Sequence, residues 1–390
     1  MKIRTFFVLL GLIVFGFFLG RQQAIIPSGD TVSAAQLKRM IKQKTFTFIN
    51  VHTPYEGEIE KTDAFIAYDK IVEQSSLLPK DKNAPIILYC KTGRMSSEAL
   101  ETVRKLGYTN VKHLSGGMDA WQKKGGKLLD LSKLEESVLP KEGVELPVSW
   151  GDLGKKLVEA GVIDLLEFRN VVKMTPEQEK ILTEGSQELI KIDATNSQFV
   201  VDVLWALGLA QKSIVYNEGP MGPTSPEASR GEQKYSEWVG GFASTGGWNL
   251  ARGEAINYLN KFDFIPLTEE QQKKVGEIAQ NVYRPCCGNP TWFPDCNHGM
   301  AALAIIELLV SKGIDDATIY RKVLGFNSFW FPDSYLTVAT YFARQGIPWE
   351  SVDAKEILGA KYSSAQGAGE ISGKVGALPY RPTSGGSCGT

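Results

Sequence analysis

Residues 86–97 read Ile-Ile-Leu-Tyr-Cys-Lys-Thr-Gly-Arg-Met-Ser-Ser, an apolar run that stops at Cys90 and continues through a short loop containing glycine. The apolar run predicts a buried strand, and the helical spacing of apolar residues from Ala99 to Leu106 predicts a helix that ends at Gly107. Such a loop directs backbone N–H groups and the positive end of a helix dipole at one sulfur. These groups stabilise a thiolate, so the sequence predicts a nucleophilic cysteine. A cysteine that only ends a buried strand is the alternative, and it suits an apolar flank better than this polar one.

Two further stretches accompany this strand, loop and helix. Residues 48–51 read Phe-Ile-Asn-Val, and residues 110–121 read Asn-Val-Lys-His-Leu-Ser-Gly-Gly-Met-Asp-Ala-Trp. Together the three stretches resemble a single-domain rhodanese, a sulfurtransferase, over residues 30–127. The resemblance implies an α/β domain in which a parallel sheet is flanked by helices.

The resemblance also implies a reaction. Cys90 would attack a small sulfane-sulfur donor, hold the sulfur as a persulfide among the loop amides, and pass it to a thiol acceptor or a metal centre. Lys91 and Arg94 would attract an anionic donor such as thiosulfate, although both charges also suit a solvated loop. The six-residue loop favours sulfur over phosphate, because the related phosphatases carry a longer loop whose arginine clamps the phosphate. The implied catalytic loop consists of Cys90, Lys91, Thr92, Gly93, Arg94 and Met95.

Two positions depart from the family pattern. Many rhodaneses have Asp-Val-Arg in the early strand and an arginine five residues after the cysteine; here residues 50–52 read Asn-Val-His, and Met95 stands where the arginine would be. His52 and His113 are lone histidines near predicted strands, where packing is the commoner role. The alternative function is therefore an exported metal-binding or redox-maturation protein, in which the rhodanese-like domain only docks a partner.

Length and composition predict more than this one domain. The chain has 390 residues, 43% of them hydrophobic, which is enough to bury a second core. A net charge of −1 argues against nucleic acid as the main partner. Five cysteines are too few for a disulfide framework in a chain of this length.

The N-terminal residues 1–24 have the pattern of an export segment. Lys2 and Arg4 precede an apolar run from Phe6 to Leu19, which predicts either a signal peptide or an uncleaved membrane anchor. The run is short for a span, which needs about 20 residues. No clear cleavage site follows it, which favours the anchor. Either way the sequence predicts an extracytoplasmic protein, tethered to the membrane or secreted, in a space where thiols must be kept reduced or are paired.

The rest of the chain divides into three predicted parts. Residues 128–147 are charged and contain Pro140 and Pro147, which predicts a linker. Residues 148–362 predict a mainly helical domain. Residues 363–390 are rich in glycine and serine, which predicts a flexible tail. Cys388 in this tail either exchanges with Cys90 or the Cys286 cluster, or is an exposed thiol without a role.

A second group of reactive side chains lies in the helical part. Three of the five cysteines and one of the three histidines fall within residues 286–298. Thiolate and imidazole ligands favour a metal site for zinc, copper or iron, with Asp295 or Met300 as extra ligands. The spacing matches no standard zinc or haem motif. A disulfide from Cys296 to one of its neighbours is the alternative. The candidate ligands are Cys286, Cys287, Cys296 and His298.

Overall fold

The first domain has the predicted α/β fold, in which helices flank a parallel sheet. The computed structural model describes residues 29–226, 228 and 234–380. Its first elements are β1 (Thr31–Val32), α1 (Ala34–Met40), β2 (Thr47–Asn50), β3 (Glu58–Ile59), β4 (Ala64–Phe65), β5 (Ile86–Tyr89), α2 (Arg94–Lys105), β6 (Val111–Leu114), α3 (Gly117–Lys123) and β7 (Leu128–Leu129). Five of the strands form a parallel sheet in the order β1-β6-β5-β2-β4, with a buried apolar cluster on each face.

The central strand of this sheet is β5, which lies between β6 and β2. All four of its residues, Ile86–Tyr89, are buried, as expected for a strand that is covered on both faces. Its carboxyl end leads directly into Cys90. The thiol therefore lies at the carboxyl edge of the parallel sheet, where loops of open α/β folds commonly form binding sites.

The second domain is mainly helical, as predicted, and is built around one large apolar core. Helices α8 and α12 pack against each other within this core. The domain also contains an antiparallel ribbon, β8 paired with β9, which the periodicity does not predict. The elements are α4 (Leu134–Val138), β8 (Val144–Gly151), α5 (Leu153–Glu159), α6 (Leu165–Val171), α7 (Pro176–Thr183), β9 (Ser186–Ile192), α8 (Ser197–Ala210), α9 (Ile214–Glu218), α10 (Tyr235–Gly240), α11 (Glu269–Ala279), α12 (Asn297–Ser311), α13 (Asp316–Trp330), α14 (Pro332–Arg344), α15 (Ala354–Leu358), α16 (Ala360–Ser363) and α17 (Ala365–Val375).

The segment predicted as a linker, residues 128–147, is folded onto both domains. Strand β7 pairs with β3 of the first domain, and Leu131 beyond it is buried. The last residues of the segment belong to β8 of the ribbon. Pro147 suggested a connection, but it lies where the pairing of β8 is irregular, so its missing N–H interrupts no regular ladder.

The flexible tail predicted for residues 363–390 is wrong for its first part, because α17 is a packed helix. Ser364 caps its start, and Ile371 and Val375 are buried. Gly367 permits close packing, since a Cβ there would lie 2.2 Å from the carbonyl oxygen of Ala360. Residues 365–375 therefore form a packed helix despite their glycine content.

Several predictions concern residues beyond the described part. The signal or anchor at residues 1–24 and the thiol of Cys388 both lie outside the described residues. Within the ranges that the structure describes, none of the helices combines the length and apolarity needed to cross a membrane.

A buried ion pair joins the two domains. Arg344, the last residue of α14, donates from Nε and Nη2 to the two carboxylate oxygens of Glu58 on β3, at 2.9 and 2.8 Å. Its Nη1 donates to the carbonyl oxygens of Asp63 and Val375. Both charged side chains are buried, at 5% and 0% exposure. A pair with this bidentate geometry satisfies both charges in a region from which water is excluded.

We expect Arg344→Met to lower the free energy of unfolding by about 3–5 kcal/mol, because it leaves the Glu58 carboxylate buried without a partner. Urea denaturation followed by circular dichroism measures this. The double variant Glu58→Leu with Arg344→Met should recover most of the loss, since it removes both charges. Lys70→Met, which breaks an exposed pair with Glu73, is the control and should cost less than about 1 kcal/mol. Equal losses of stability in Arg344→Met and Lys70→Met would contradict a buried, stabilising pair between Arg344 and Glu58.

Candidate functional site

The loop after β5 is shaped by Gly93 at the start of α2. Gly93 adopts a left-handed backbone conformation with φ of 101°, which favours glycine. A Cβ at this position would also approach the backbone nitrogen of Gly116 to 3.3 Å. The sharp turn brings the first turn of α2 back over Cys90, whose side chain is buried at 1% exposure.

Two backbone N–H groups donate to the sulfur of Cys90. Gly93 N lies 3.1 Å from Sγ and Ser96 N lies 3.4 Å from it. Both belong to the start of α2, where backbone N–H groups have no partner within the helix. They stabilise negative charge on the sulfur, and the helix dipole acts in the same direction.

A serine and a histidine extend this arrangement, and sequence reasoning missed their connection. Ser96 Oγ lies 3.5 Å from Cys90 Sγ and 3.2 Å from His113 Nδ1. It also lies within hydrogen-bond distance of the Gly93 carbonyl. Since a hydroxyl has one hydrogen, it can donate to only one of these three groups at a time. Burial lowers the pKa of His113 below its ordinary value of 6.5, so the neutral imidazole prevails at neutral pH.

The two cations of the loop are paired with carboxylates. Lys91 Nζ lies 2.5 Å from Glu56 Oε2, and Glu56 Oε1 lies 3.3 Å from His52 Nε2. Hydrogen bonds from Lys91 and His52 lower the pKa of Glu56. Arg94 is exposed, and its Nη1 lies 2.7 Å from Glu98 Oε1. The positive charge predicted to attract an anionic donor is therefore largely balanced locally.

The other loop residues have simpler surroundings. Thr92 is exposed, and Met95, which stands in place of the family arginine, packs against the apolar cluster on one face of the sheet. Asn50, at the start of the altered Asn-Val-His motif, is buried. It donates from Nδ2 to the Gly57 carbonyl and accepts from the backbone N–H of His52, so it shapes the segment that carries Glu56.

The turn at Gly116 and Gly117 closes the other side of the loop. Met118 N–H donates to the carbonyl of Cys90 at 2.9 Å, and Asp119 N–H donates to that of Lys91 at 3.0 Å. A Cβ at Gly117 would lie 2.1 Å from the Cys90 carbonyl oxygen, so only glycine permits this approach. The turn therefore fixes the backbone from which the thiol projects.

Comparison with known proteins agrees with this architecture. The rhodanese-like domain family matches residues 33–124. The thiosulfate sulfurtransferase PspE of Escherichia coli is 31% identical over 74 residues, which cover 18% of this chain and 71% of that protein. The chain belongs to the rhodanese-like family. The match is confined to the first domain.

Other relatives of the rhodanese-like domain are embedded in longer proteins. The probable adenylyltransferase/sulfurtransferase MoeZ of Mycobacterium tuberculosis is 35% identical over 100 residues, which cover 24% of this chain and 25% of MoeZ. The chain thus spans about a quarter of that relative. A rhodanese-related protein from Thermoplasma volcanium of known structure is 26% identical, with a TM-score of 0.23, over 26% of this chain and 98% of that one.

Outside the rhodanese-like domain, the structure brings the second group of predicted residues together. The sulfur of Cys286 lies 3.3 Å from that of Cys287 and 3.6 Å from that of Cys296. Ligand atoms of Cys286, Cys296 and His298 lie within 4.8 Å of one another. The four cysteines in the described part of the chain are free thiols, so the alternative disulfide from Cys296 to a neighbour is not formed in this structure.

Arg284, which the sequence did not single out, holds this cluster in place through hydrogen bonds. Its side chain is fully buried, and its Nε donates to Cys296 Sγ at 3.1 Å. Cys296 also caps α12 by accepting from Gly299 N–H. Hydrogen bonds from Cys286 and Cys287, with the charge of Arg284, lower the pKa of Cys296 well below its ordinary value of 9.0. A Cβ at Gly299 would lie 2.7 Å from the guanidinium, so glycine is the residue that fits there.

Both predicted extra ligands have other partners. Asp295 accepts from Arg284 Nη2 through one oxygen, at 2.6 Å, and from Asn289 Nδ2 through the other, at 2.7 Å. Met300 is buried, and its sulfur accepts from the hydroxyl of Tyr216. A carboxylate oxygen of Asp295 nevertheless lies within 4.8 Å of the sulfurs of Cys287 and Cys296, so the cluster contains three thiols, His298 and one carboxylate that is already hydrogen-bonded.

The Ser96 hydroxyl should tune the reactivity of Cys90. We expect Ser96→Ala to slow alkylation of Cys90 by iodoacetamide by about 2- to 10-fold, because one hydrogen bond near the sulfur is lost while the two amide donors remain. Peptide mass spectrometry across a pH series measures the rate at Cys90 alone. Ser97→Ala, which changes an exposed neighbour, is the control and should leave the rate unchanged. An unaltered rate in Ser96→Ala would exclude a role for the hydroxyl.

Proposed function

We propose that this protein is a sulfurtransferase that carries sulfane sulfur as a persulfide on Cys90. One observation carries the proposal: Cys90 lies at the carboxyl end of the central strand with the N–H groups of Gly93 and Ser96 directed at its sulfur. That arrangement stabilises a thiolate nucleophile. The relatives of this domain named as sulfurtransferases, among them PspE, support the same chemistry.

The proposed reaction has two steps, and each exchanges one sulfur–sulfur bond for another. In the first, the Cys90 thiolate attacks the outer sulfur of the donor, the S–S bond of the donor breaks, and a thiolate or sulfite leaves with the electron pair. In the second, an acceptor thiolate attacks the outer sulfur of the Cys90 persulfide. The Cys90 thiolate is regenerated, the acceptor becomes a persulfide, and no external oxidant or reductant is consumed.

The charges around the loop indicate the class of donor. Glu56 balances Lys91, and Glu98 balances Arg94, so the entrance offers little net attraction to a dianion such as thiosulfate. We therefore favour a persulfide or polysulfide of lower charge as the donor, with a small thiol as acceptor. If residues 1–24 direct export as their sequence predicts, the transfer takes place outside the cytoplasm, at the membrane or free of it.

Loading of Cys90 tests the proposal directly. Incubation of the reduced protein with a singly charged alkyl persulfide should add about 32 Da per sulfur atom to the peptide that contains Cys90, as expected for persulfidation. Cys90→Ser should abolish that adduct. Cys286→Ser, which removes a thiol of the second domain, is the matched control and should load Cys90 normally. A reduced wild-type protein that acquires no sulfur at Cys90 would refute the proposal.

Glu56→Gln tests the inferred donor class. Removing the carboxylate frees Lys91, so loading by thiosulfate should become up to about fivefold faster, and the gain should fall at high ionic strength. Loading by a singly charged alkyl persulfide should rise less. Glu73→Gln, which frees Lys70 elsewhere on the domain surface, should change neither rate. Thiosulfate loading that is unchanged in Glu56→Gln would show that the local charge does not select the donor.

A further inference from the structure

We propose that Cys286, Cys296 and His298 form a binding site for a thiophilic d10 metal ion, Zn²⁺ or Cu⁺, and that Cys287 supplies a fourth ligand when the ion requires one. The site lies in the helical domain and is separate from the sulfur chemistry proposed at Cys90. It rests on the ligand atoms of Cys286, Cys296 and His298, which lie together on one loop and the start of α12, with Cys287 beside Cys286.

The spacing of the ligand atoms matches such an ion. A tetrahedral centre with metal–sulfur bonds of about 2.3 Å separates its sulfur ligands by about 3.8 Å. Here the sulfurs of Cys286 and Cys296 are 3.6 Å apart, and both lie within 4.8 Å of a ring nitrogen of His298. These separations are close to those that one shared ion requires.

The donor set selects soft or borderline ions over hard ones. Thiolate sulfur and imidazole nitrogen suit zinc and monovalent copper, whereas Mg²⁺ and Ca²⁺ prefer oxygen. The nearest carboxylate, Asp295, has both oxygens engaged by Arg284 and Asn289. Sulfur and nitrogen atoms therefore outnumber carboxylate oxygens in the cluster, and the one carboxylate already accepts two hydrogen bonds.

Arg284 fixes the conformation of the loop, as a structural disulfide would. Besides Cys296, it binds the carbonyl oxygens of Asn289 and Phe293, at 2.9 and 3.2 Å, and so ties the loop together at three points. The loop is thus held in place with its thiols free. The same guanidinium stabilises negative charge at Cys296, which a metal ligand must carry.

The position of His298 favours a metal ligand over a packing residue. Its ring lies against Phe331 and Trp330, with centroids 4.4 and 5.7 Å away, which restricts its rotation. The ring and all three cysteines remain partly exposed, so an ion can reach them from solvent. Cys287 Sγ lies 3.3 Å from Cys286 Sγ, and we assign it as the fourth ligand that Zn²⁺ requires and Cu⁺ does not.

Metal titration of the full chain tests the site. The reduced protein, stripped with a chelator under anaerobic conditions, is titrated with Zn²⁺ or Cu⁺ against a competing chromophoric chelator, and with Co²⁺ as a spectroscopic probe of thiolate ligation. We expect one ion per chain and an intense thiolate-to-cobalt charge-transfer band. Cys286→Ser and His298→Ala should each weaken binding by at least about 10-fold. Cys287→Ser should weaken Zn²⁺ binding more than Cu⁺ binding.

Cys90→Ser is the matched control, and it should bind the ion as tightly as the wild-type protein. His298→Ala should still load sulfur at Cys90, so that failure of this site and failure of the sulfurtransferase proposal can be told apart. Circular dichroism verifies that each variant is folded. The proposal is overturned if the reduced chain binds neither ion more tightly than the variant lacking all three cluster thiols. It is equally overturned if peptide mapping finds a disulfide from Cys296 to Cys286 or Cys287 that persists in the reductant.

Discussion

The buried ion pair between Arg344 and Glu58 joins the two domains. Each charge would be costly to bury alone, and the carboxylate of Glu58 is paired with a guanidinium from the other domain. Close to Glu58, the hydroxyl of Tyr89 accepts from the backbone N–H of Ile59 and contacts Thr62. Tyr89 immediately precedes Cys90 on β5, so the contact between the domains and the position of the thiol share one stretch of buried hydrogen bonds.

The two groups of thiols are stabilised by different kinds of hydrogen bond. Cys90 is surrounded by backbone N–H groups, whose positions follow from the fold and survive most side-chain replacements. Cys296 instead depends on one buried side chain, Arg284, which no other residue type replaces with the same set of hydrogen bonds. The geometry around Cys90 is therefore sensitive to replacement of Gly93 or Gly117, which shape the backbone, whereas the second cluster is sensitive to replacement of Arg284.

The sequence predicts those features whose signal is local. The strand before Cys90, the loop and the helix that follows it are predicted from adjacent residues, and the structure has all of them. Contacts between distant residues carry no such signal. Ser96 and His113 are in contact because β6 lies beside β5. In the sequence Gly367 indicates flexibility, but in the structure it packs closely against the backbone of Ala360. Arg284 likewise looks like any surface arginine, since its partners are scattered over the following loop.

Because residues 128–147 pack onto both domains, the end of the family match is not the boundary of a folding unit. The family match ends at residue 124, but β7 pairs with β3 beyond that point. Glu58 forms its ion pair with Arg344, 286 positions further along the chain. A fragment cut at the family border would expose apolar surface and a carboxylate whose pocket was shaped for a guanidinium. The segment that matches the family is therefore smaller than the unit that folds. Transplanting only that segment into another protein would not carry its stability with it.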